Sequence, residues 1–171
     1  MILNFKIVKV KTSYCDYLRE YDNKVPYNMN KKETRPFIGI LFNVDNFEYF
    51  APLTSPKPKH LKMKNTIDFL KIKGGELGAV NFNNMIPVKE QNYELIQLNE
   101  SNTSIAENKY KKLLREQLNW LNENSIQVKK KSSKLYKLYT NDMLSRNIKD
   151  RCCNFKLLEE KCNQYNEVFV K

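Results

Sequence analysis

The sequence predicts an α+β domain, in which a mostly antiparallel, twisted sheet comes first along the chain and helices follow. Up to about residue 98, apolar residues recur in short β-branched or aromatic runs separated by turn residues. From residue 104 onward the apolar period lengthens to about 3.6 residues, as in helices. A chain of 171 residues with 41% hydrophobic residues can bury one core, so we expect a single domain over residues 1–171.

The first strand is predicted over residues 5–10, and a short helix capped by Thr12 or Ser13 follows it. The helix face of Tyr14, Tyr17, Leu18 and Tyr21 is expected to pack in the core. We expect Pro26 to end this helix and residues 27–35 to form a polar loop. Further strands are predicted over residues 37–42, 47–53, 67–72, 77–82, 85–88 and 93–98.

Three helices are predicted after the strands. The first begins with a capping box at Ser104 and Glu107. The second carries Leu135, Leu138, Tyr139 and Leu144, and the third starts near Asn154. Between Glu107 and Lys137 nine Lys or Arg stand against three Glu, so these helices carry much of the positive charge, although helix surfaces are often rich in lysine without a partner.

The exit from the predicted strand over residues 47–53 has an unusual composition. Two hydroxyls, three prolines, two lysines and the only histidine of the chain fall between residues 52 and 60. Proline fixes φ, so these polar side chains stand on a stiff loop. Such a loop suits the handling of a phosphodiester, and the simpler interpretation is a turn with solvated lysines.

Residues 37–42 and 47–51 flank a four-residue connection and therefore predict a hairpin. Because antiparallel strands run in opposite directions, Arg35 and Ser55 come to the same end of this pair. The charged loop before Arg35, with Lys31 and Lys32, would then share a wall with the strand exit. A solvated surface turn is the alternative interpretation of that loop.

The charge of the chain indicates a polyanionic partner. Thirty Lys and Arg against nineteen Asp and Glu give a formal net charge of +11, and twenty aromatic residues supply stacking faces beside it. Nucleic acid is therefore favoured over a membrane surface. The first six residues lack the apolar region of a signal peptide, and the chain has no apolar run of about 18 residues, so we expect a cytoplasmic protein without membrane contact. The four cysteines fit neither a disulfide framework nor a zinc site and are interpreted as reduced packing residues.

Many enzyme classes are excluded by missing motifs. The sequence has no Gly-rich phosphate loop, no Gly-x-Ser-x-Gly elbow, no His-Glu-x-x-His and no Asp-rich cluster for magnesium. RNA supplies its own nucleophile, the 2′-hydroxyl, so a ribonuclease needs only proton transfer, positive charge and a grip on bases. Such groups are available in Arg35, Thr54, Ser55, Lys57 and His60, and their chemistry leaves open which one takes the proton.

Five segments of the chain together resemble one known family. They are Lys24-Val25-Pro26, Phe37-Ile38-Gly39-Ile40, Ala51 to Lys57, Leu77-Gly78 with Asn81 and Met85-Ile86-Pro87, and Cys153 to Lys161. In this order, and over nearly the whole chain, they resemble the AbiQ/ToxN family of toxins from type III toxin–antitoxin systems.

The resemblance implies a sequence-selective endoribonuclease that needs no metal or other cofactor and leaves a 2′,3′-cyclic phosphate and a 5′-hydroxyl. It also implies a compact fold like that of the Kid and MazF toxins and a role in abortive phage infection. The implied partners are an RNA substrate, from cellular or phage transcripts, and a small structured RNA antitoxin made as tandem repeats.

Thr54, Ser55 and Lys57 match the family's active-site motif directly. Arg35 stands two residues before the Phe-Ile-Gly-Ile segment, where relatives can have Lys. We interpret Arg35 as a phosphate clamp, because a guanidinium is a poorer proton donor than an ammonium group. The predicted catalytic residues are therefore Arg35, Thr54, Ser55 and Lys57.

The predicted RNA-binding residues are Tyr27, Lys31, Lys32, Lys59, His60, Lys62, Lys129, Lys130 and Lys131. The loop before Arg35 differs in length from the corresponding loop of the family. Whether Tyr27 replaces a family loop tyrosine therefore stays open. Two other functions remain open at this point, a non-catalytic RNA-binding protein and a structural or membrane-surface protein.

Overall fold

Strand β6 (Phe47–Thr54) is the central strand of an antiparallel sheet. The computed structural model describes residues 4–27, 29–30, 33–99 and 104–169. In these residues the sheet has the order β10 (Tyr93–Leu95), β1 (Lys6–Val10), β4 (Pro36–Gly39), β6, β8 (Ala79–Asn81) and β7 (Phe69–Lys71), and the short strands β5 (Asn43–Val44) and β9 (Ile86–Pro87) pair with β6 as well. The predicted antiparallel sheet is confirmed.

The residues of β6 from Tyr49 to Leu53 are all buried. The alternating pattern predicts a half-buried strand, and this expectation is wrong because both faces of β6 are covered. On one face the Tyr49 ring lies 5.3 Å from Tyr136 and 6.0 Å from Phe155, between ring centroids. Phe50, the next residue along, packs its ring 4.9 Å from Tyr93. Burial on both sides holds the end of β6 in place.

The predicted hairpin of β4 and β6 forms, with Phe37 opposite Pro52 and Ile38 opposite Ala51. Its connection is shorter than predicted, because β5 also pairs with β6 and only residues 45–46 are left to turn the chain. The segment 27–35 is predicted to be a loop, but strands β2 (Met29–Asn30) and β3 (Glu33–Thr34) pair within it. Both differences arise from strands of two residues, which are too short to show an apolar period.

The helices are α1 (Thr12–Arg19), α2 (Pro58–Lys62), α3 (Ile105–Glu123), α4 (Ser125–Thr140), α5 (Arg146–Arg151) and α6 (Phe155–Phe169). The Ser104 half of the predicted capping box is confirmed, because Ser104 Oγ accepts a hydrogen bond of 3.3 Å from the Glu107 N–H. The predicted cap of α1 is wrong, because Lys11 is the N-cap and makes no side-chain capping bond. Helix α1 also ends at Arg19, well before Pro26, and α4 ends before Leu144. Helices α2 and α5 are too short to be predicted from periodicity.

A buried carboxylate joins the helical layer to the sheet. Glu159 of α6 accepts hydrogen bonds from the hydroxyls of Tyr49, at 2.5 Å, and Tyr136, at 2.7 Å. Burial and the bond to Glu159 raise the pKa of Tyr49, so its hydroxyl stays protonated as a donor. These two hydrogen bonds hold α4 and α6 against β6 within the core.

The four cysteines are buried free thiols, as the sequence predicts. Burial raises the pKa of Cys15 and of Cys152 to about 12. Within the described ranges, no helix is both long and apolar enough to cross a membrane.

Candidate active site

Thr54 is the last residue of β6, and its side chain and main chain are both held by neighbours. Its Oγ1 accepts a hydrogen bond of 2.9 Å from Asn81 Nδ2 of β8. Its carbonyl oxygen accepts a long bond of 3.4 Å from Gln117 Nε2 of α3, and the same nitrogen donates to the Leu77 carbonyl at 2.7 Å. The threonine therefore has a fixed orientation at the end of the strand.

Gly78 allows the chain before β8 to approach Thr54 closely. It has a φ of +98°, a conformation that favours glycine, and a Cβ at this position would lie 1.9 Å from the Thr54 carbonyl oxygen. No other residue type fits there without moving one of the two segments.

Gln117 lies beneath this contact and is only 1% exposed. Its Nε2 makes both bonds described above, and its Oε1 has no hydrogen-bond partner in the part of the chain that the structure describes. An unpaired buried acceptor is costly. The two hydrogen bonds that Nε2 donates to the Thr54 and Leu77 carbonyls therefore offset this cost and hold the amide in place. Gln117 thus positions the main chain of Thr54.

The residues that follow Thr54 reach the surface. Ser55, Lys57 and Lys59 are exposed, and helix α2 begins at Pro58 directly after Lys57. Lys62 at the end of α2 is exposed as well. The strand exit therefore presents the Ser55 hydroxyl and three ammonium groups to solvent, whereas the second predicted hydroxyl, that of Thr54, is half-buried.

His60 has a structural role that the sequence analysis does not predict. Its side chain is only 2% exposed, and its Nδ1 accepts a hydrogen bond of 3.1 Å from the Lys57 N–H. Burial, with help from Lys59 and Lys57, lowers the pKa of this imidazole, which favours the neutral form that can accept the bond. The prediction that His60 binds RNA stays a prediction, and in this structure the imidazole is buried in the turn that it stabilises.

Arg35 lies directly before β4. The pairing of β4 with β6 ends with Phe37 opposite Pro52, so Arg35 and Thr54, each two residues beyond that pair, lie at the same end of the hairpin. Its Nε donates a hydrogen bond of 3.1 Å to the Tyr27 carbonyl oxygen. Burial lowers the pKa of the guanidinium, and the neighbouring Tyr110 opposes this shift. The predicted placement of Arg35 at the same end as the exit of β6 follows from this register.

Tyr27 stands on the surface beside Arg35. Its side chain is 69% exposed, and the Arg19 guanidinium lies 3.9 Å from the centroid of its ring. One face of the ring is thus occupied by a cation. The prediction that Tyr27 binds RNA stays a prediction, and the predicted residues Lys31 and Lys32 lie outside the described residues.

The three lysines of α4 differ in their surroundings. Lys130 is exposed, whereas Lys129 is partly buried with its Nζ 5.5 Å from the centroid of the Phe5 ring. Lys129 and Lys130 line a cavity of about 430 Å³ that also includes Lys6 and Phe42. Burial lowers the pKa of Lys131, and nearby Asp68 opposes this shift. Phe42 lies near the turn of the β4–β6 hairpin, so this cavity is at the opposite end of that hairpin from Thr54.

In the described ranges, no three His, Cys, Asp or Glu side chains form a group that could hold a metal ion. The functional groups around Thr54 are hydroxyls, amides and cations.

The comparisons with known proteins identify the family of the chain. The family model of toxin ToxN of type III toxin–antitoxin systems matches residues 6–163. The chain belongs to this family. It is 35% identical to endoribonuclease ToxN of Bacillus thuringiensis subsp. kurstaki over 96% of this chain and 86% of that protein. Endoribonuclease AbiQ of Lactococcus lactis subsp. lactis is 27% identical, over 96% of this chain and 91% of that protein, so this ToxN is the more similar of the two.

A solved type III toxin has the same fold. Its selective inhibition by a non-coding RNA pseudoknot has been described, and its TM-score with this chain is 0.82 at 34% identity, covering 96% of this chain and 99% of that one. This likeness over the full length supports the assignment to the ToxN family.

Within this member of the ToxN family, sequence reasoning missed several supporting residues. Asn81 lies in one of the segments that resemble the family. Its hydrogen bond to Thr54 joins residues 27 positions apart, so no local sequence pattern predicts it. Gln117 contacts Thr54 over 63 positions and is one of many polar residues on α3. The resemblance includes Gly78 and Asn81, whereas no signal in the sequence indicates Gln117.

Proposed function

We propose that this protein is an endoribonuclease toxin that cleaves RNA through the substrate's own 2′-hydroxyl, without a metal ion. The products are a 2′,3′-cyclic phosphate and a 5′-hydroxyl. The observation that supports the proposal is the end of the β4–β6 pairing, where Arg35 lies at the same end of the hairpin as Thr54 and the exposed residues Ser55 and Lys57. The alternative is a non-catalytic RNA-binding protein with the same charges.

The proposed reaction is an in-line displacement at phosphorus. The 2′-oxygen loses its proton and bonds to phosphorus, and the bond to the 5′-oxygen breaks as that oxygen gains a proton. Negative charge develops on the phosphorane oxygens, and we assign its stabilisation to Arg35 and Lys57. The hydroxyls of Thr54 and Ser55 orient the phosphate and hydrogen-bond to its oxygens.

Thr54 is suited to orientation because Asn81 already donates to its Oγ1 at 2.9 Å. The hydroxyl proton of Thr54 can then be donated to a phosphate oxygen, since the bond from Asn81 uses only a lone pair. Arg35 acts as a clamp, because a guanidinium keeps its proton even where burial lowers its pKa. This division leaves proton transfer to Lys57, Ser55 or bound water.

The relatives support both the reaction class and its control. Two of the proteins similar to this chain are named endoribonucleases, and a solved toxin with this fold is inhibited by a non-coding RNA pseudoknot. A net charge of +11 suits two RNA partners, a transcript to be cut and a structured RNA antitoxin encoded as tandem repeats. We place this activity in the cytoplasm, as part of abortive defence against phage.

The test is to incubate purified protein with RNA in excess EDTA and to analyse the product ends. We expect cleavage with cyclic phosphate ends, loss of cleavage in Ser55→Ala, and unchanged RNA affinity in that variant. Ser145→Ala is the matched control, since Ser145 is exposed and makes no side-chain capping bond. Intact RNA with tight, salt-dependent binding would favour the non-catalytic alternative.

A further inference from the structure

A cavity of about 310 Å³ lies next to the exit of β6. Its walls come from three separate segments, namely Met63 after α2, Phe69 and Asn81 of the β7–β8 hairpin, and Arg151 at the end of α5. This volume is at the small end of the range of about 300–1,000 Å³ for ligand pockets. The occupant is therefore one small group rather than a helix or a long chain.

Asn81 connects the cavity to the candidate active site. Its side chain lines the cavity, and its Nδ2 donates the 2.9 Å bond to Thr54 Oγ1. A strand whose phosphate lies on Thr54 would therefore place a neighbouring nucleotide at this cavity. Lys64, which also lines the cavity and is exposed, can pair with a phosphate at its rim.

Arg151 supplies a fixed flat surface in this cavity. Its Nε and Nη2 donate to the two oxygens of Asp68 at 2.9 and 3.0 Å, and Thr66 Oγ1 donates to Asp68 Oδ1 at 2.8 Å. These bonds outweigh burial and keep the pKa of Asp68 low. Asp68 is 3% exposed in its side chain but Arg151 is 49% exposed, so the guanidinium plane is held in place while much of it faces solvent. A planar guanidinium stacks on aromatic rings.

Met63 and Phe69 supply the apolar surface that a stacked ring needs. The Met63 side chain is 38% exposed and Phe69 is 8% exposed, and the two lie on the same cavity as Arg151. A thioether packs well against aromatic rings. The cavity thus combines a cationic plane with apolar contacts, which is the surface that binds an unstacked base.

Two amides give this cavity a preference in hydrogen bonding. Asn83 Nδ2 donates to the Arg151 carbonyl oxygen at 3.4 Å, and Asn81 Nδ2 donates to Thr54. Since a carbonyl can only accept, the orientation of the Asn83 amide is fixed by its partner. Asn83 therefore keeps its Oδ1 as an acceptor, which suits the exocyclic amine of a base.

We propose that this cavity binds one unpaired nucleobase carrying an exocyclic amine, next to the phosphate held at Thr54. The inference rests on the proposed function, since it assumes that RNA occupies the exit of β6. Arg151 and Met63 hold the base by stacking, and Asn83 reads its amine. This cavity then contributes to the sequence selectivity of the enzyme.

The test measures binding without cleavage. The probes are a short 2′-fluoro oligouridine, the same strand with one adenine or one cytosine, and a fully abasic strand, with affinity read by fluorescence anisotropy. We expect the single amine-bearing base to tighten wild-type binding about three- to tenfold, the contribution of one hydrogen bond. Asn83→Leu should remove this preference while binding oligouridine as before.

Met63→Ala and Arg151→Lys should weaken binding of every base-bearing strand, by about tenfold for the arginine, and leave the abasic strand unaffected. Arg146→Lys on the same helix is the matched control, because Arg146 is exposed and does not line the cavity. Equal losses on the abasic strand would overturn the proposal and indicate a phosphate contact instead. No loss of affinity on any strand would also overturn it, because these residues would then not bind the strand. Base preference without any RNA cleavage would instead overturn the proposed function and leave the base site standing.

Discussion

His60 offers a direct test of the structural role assigned to an imidazole in the candidate active site. In His60→Leu the buried volume is largely filled but the acceptor for the Lys57 N–H is lost. In His60→Gln an uncharged acceptor remains at the third helical position, where Glu and Gln reach back to the N-cap. Loss of one such bond costs about 1 kcal/mol in the free energy of unfolding. We therefore expect the leucine variant to melt about 2–4 °C lower and the glutamine variant to melt close to wild type.

The pH dependence gives the same test a second readout. The pKa of His60 is lowered in the folded protein, so the unfolded chain binds a proton that the folded chain does not. The contribution of His60 to the free energy of unfolding is fully present above the unfolded pKa of about 6.5 and is lost as pH falls below it. The loss amounts to at most about 1.4 kcal/mol per pH unit and ends at the folded pKa. His60 is the only histidine of the chain, so both variants should lack this loss between about pH 8 and about pH 5.5.

Thermal unfolding and RNA affinity should be measured on the same samples. We expect all three proteins to bind RNA with similar affinity at about pH 8, since the imidazole is buried. If both variants lose RNA affinity equally while their stability is unchanged, His60 contacts RNA and its structural assignment is wrong.

Three further predictions concern the support of the site and its charge. Gly78→Ala should destabilise the protein by about 2–4 kcal/mol and abolish cleavage, because the new methyl meets the Thr54 carbonyl at positive φ. In the control Gly74→Ala the new methyl has open space, and the change should cost about 1 kcal/mol in the free energy of unfolding. Denaturant unfolding of both variants measures the difference. Changing Lys129–Lys131 to Glu should reduce the slope of log K against log salt for antitoxin RNA by about 0.7–0.9 for each phosphate that these lysines neutralise, and an unchanged slope would mean that they are solvated. Tyr49→Phe should cost about 1–3 kcal/mol in chemical unfolding, because a buried carboxylate loses one of its two tyrosine donors, while cleavage under stable conditions stays near wild type.

The parts of the fold that the sequence predicts are those with local signals. The α3 cap is visible in four residues, and the pairing of β4 with β6 follows from two apolar runs around a turn. Chain direction then puts Arg35 and Thr54 at the same end of this hairpin without any knowledge of tertiary packing. Local pattern and chain direction are sufficient for this much of the site.

The remaining features depend on contacts between distant positions. The bonds between Arg151 and Asp68 span 83 residues, and α5 is too short to show a helical period. The sequence predicts that His60 binds RNA, because residue type alone does not reveal that this side chain is buried within α2. Burial and long-range pairing thus decide which polar residues face RNA and which support the loop.

The central claim is that the substrate supplies the nucleophile, and one substrate tests it directly. An RNA oligonucleotide with a single 2′-deoxy sugar immediately 5′ to the scissile phosphate keeps its phosphates and bases but lacks the attacking hydroxyl. We expect near-normal affinity and no cleavage of this strand, while the all-ribose strand is cut in excess EDTA. Cleavage of the deoxy strand, or activity that disappears in EDTA, would contradict the account, because water or a protein hydroxyl would then attack phosphorus.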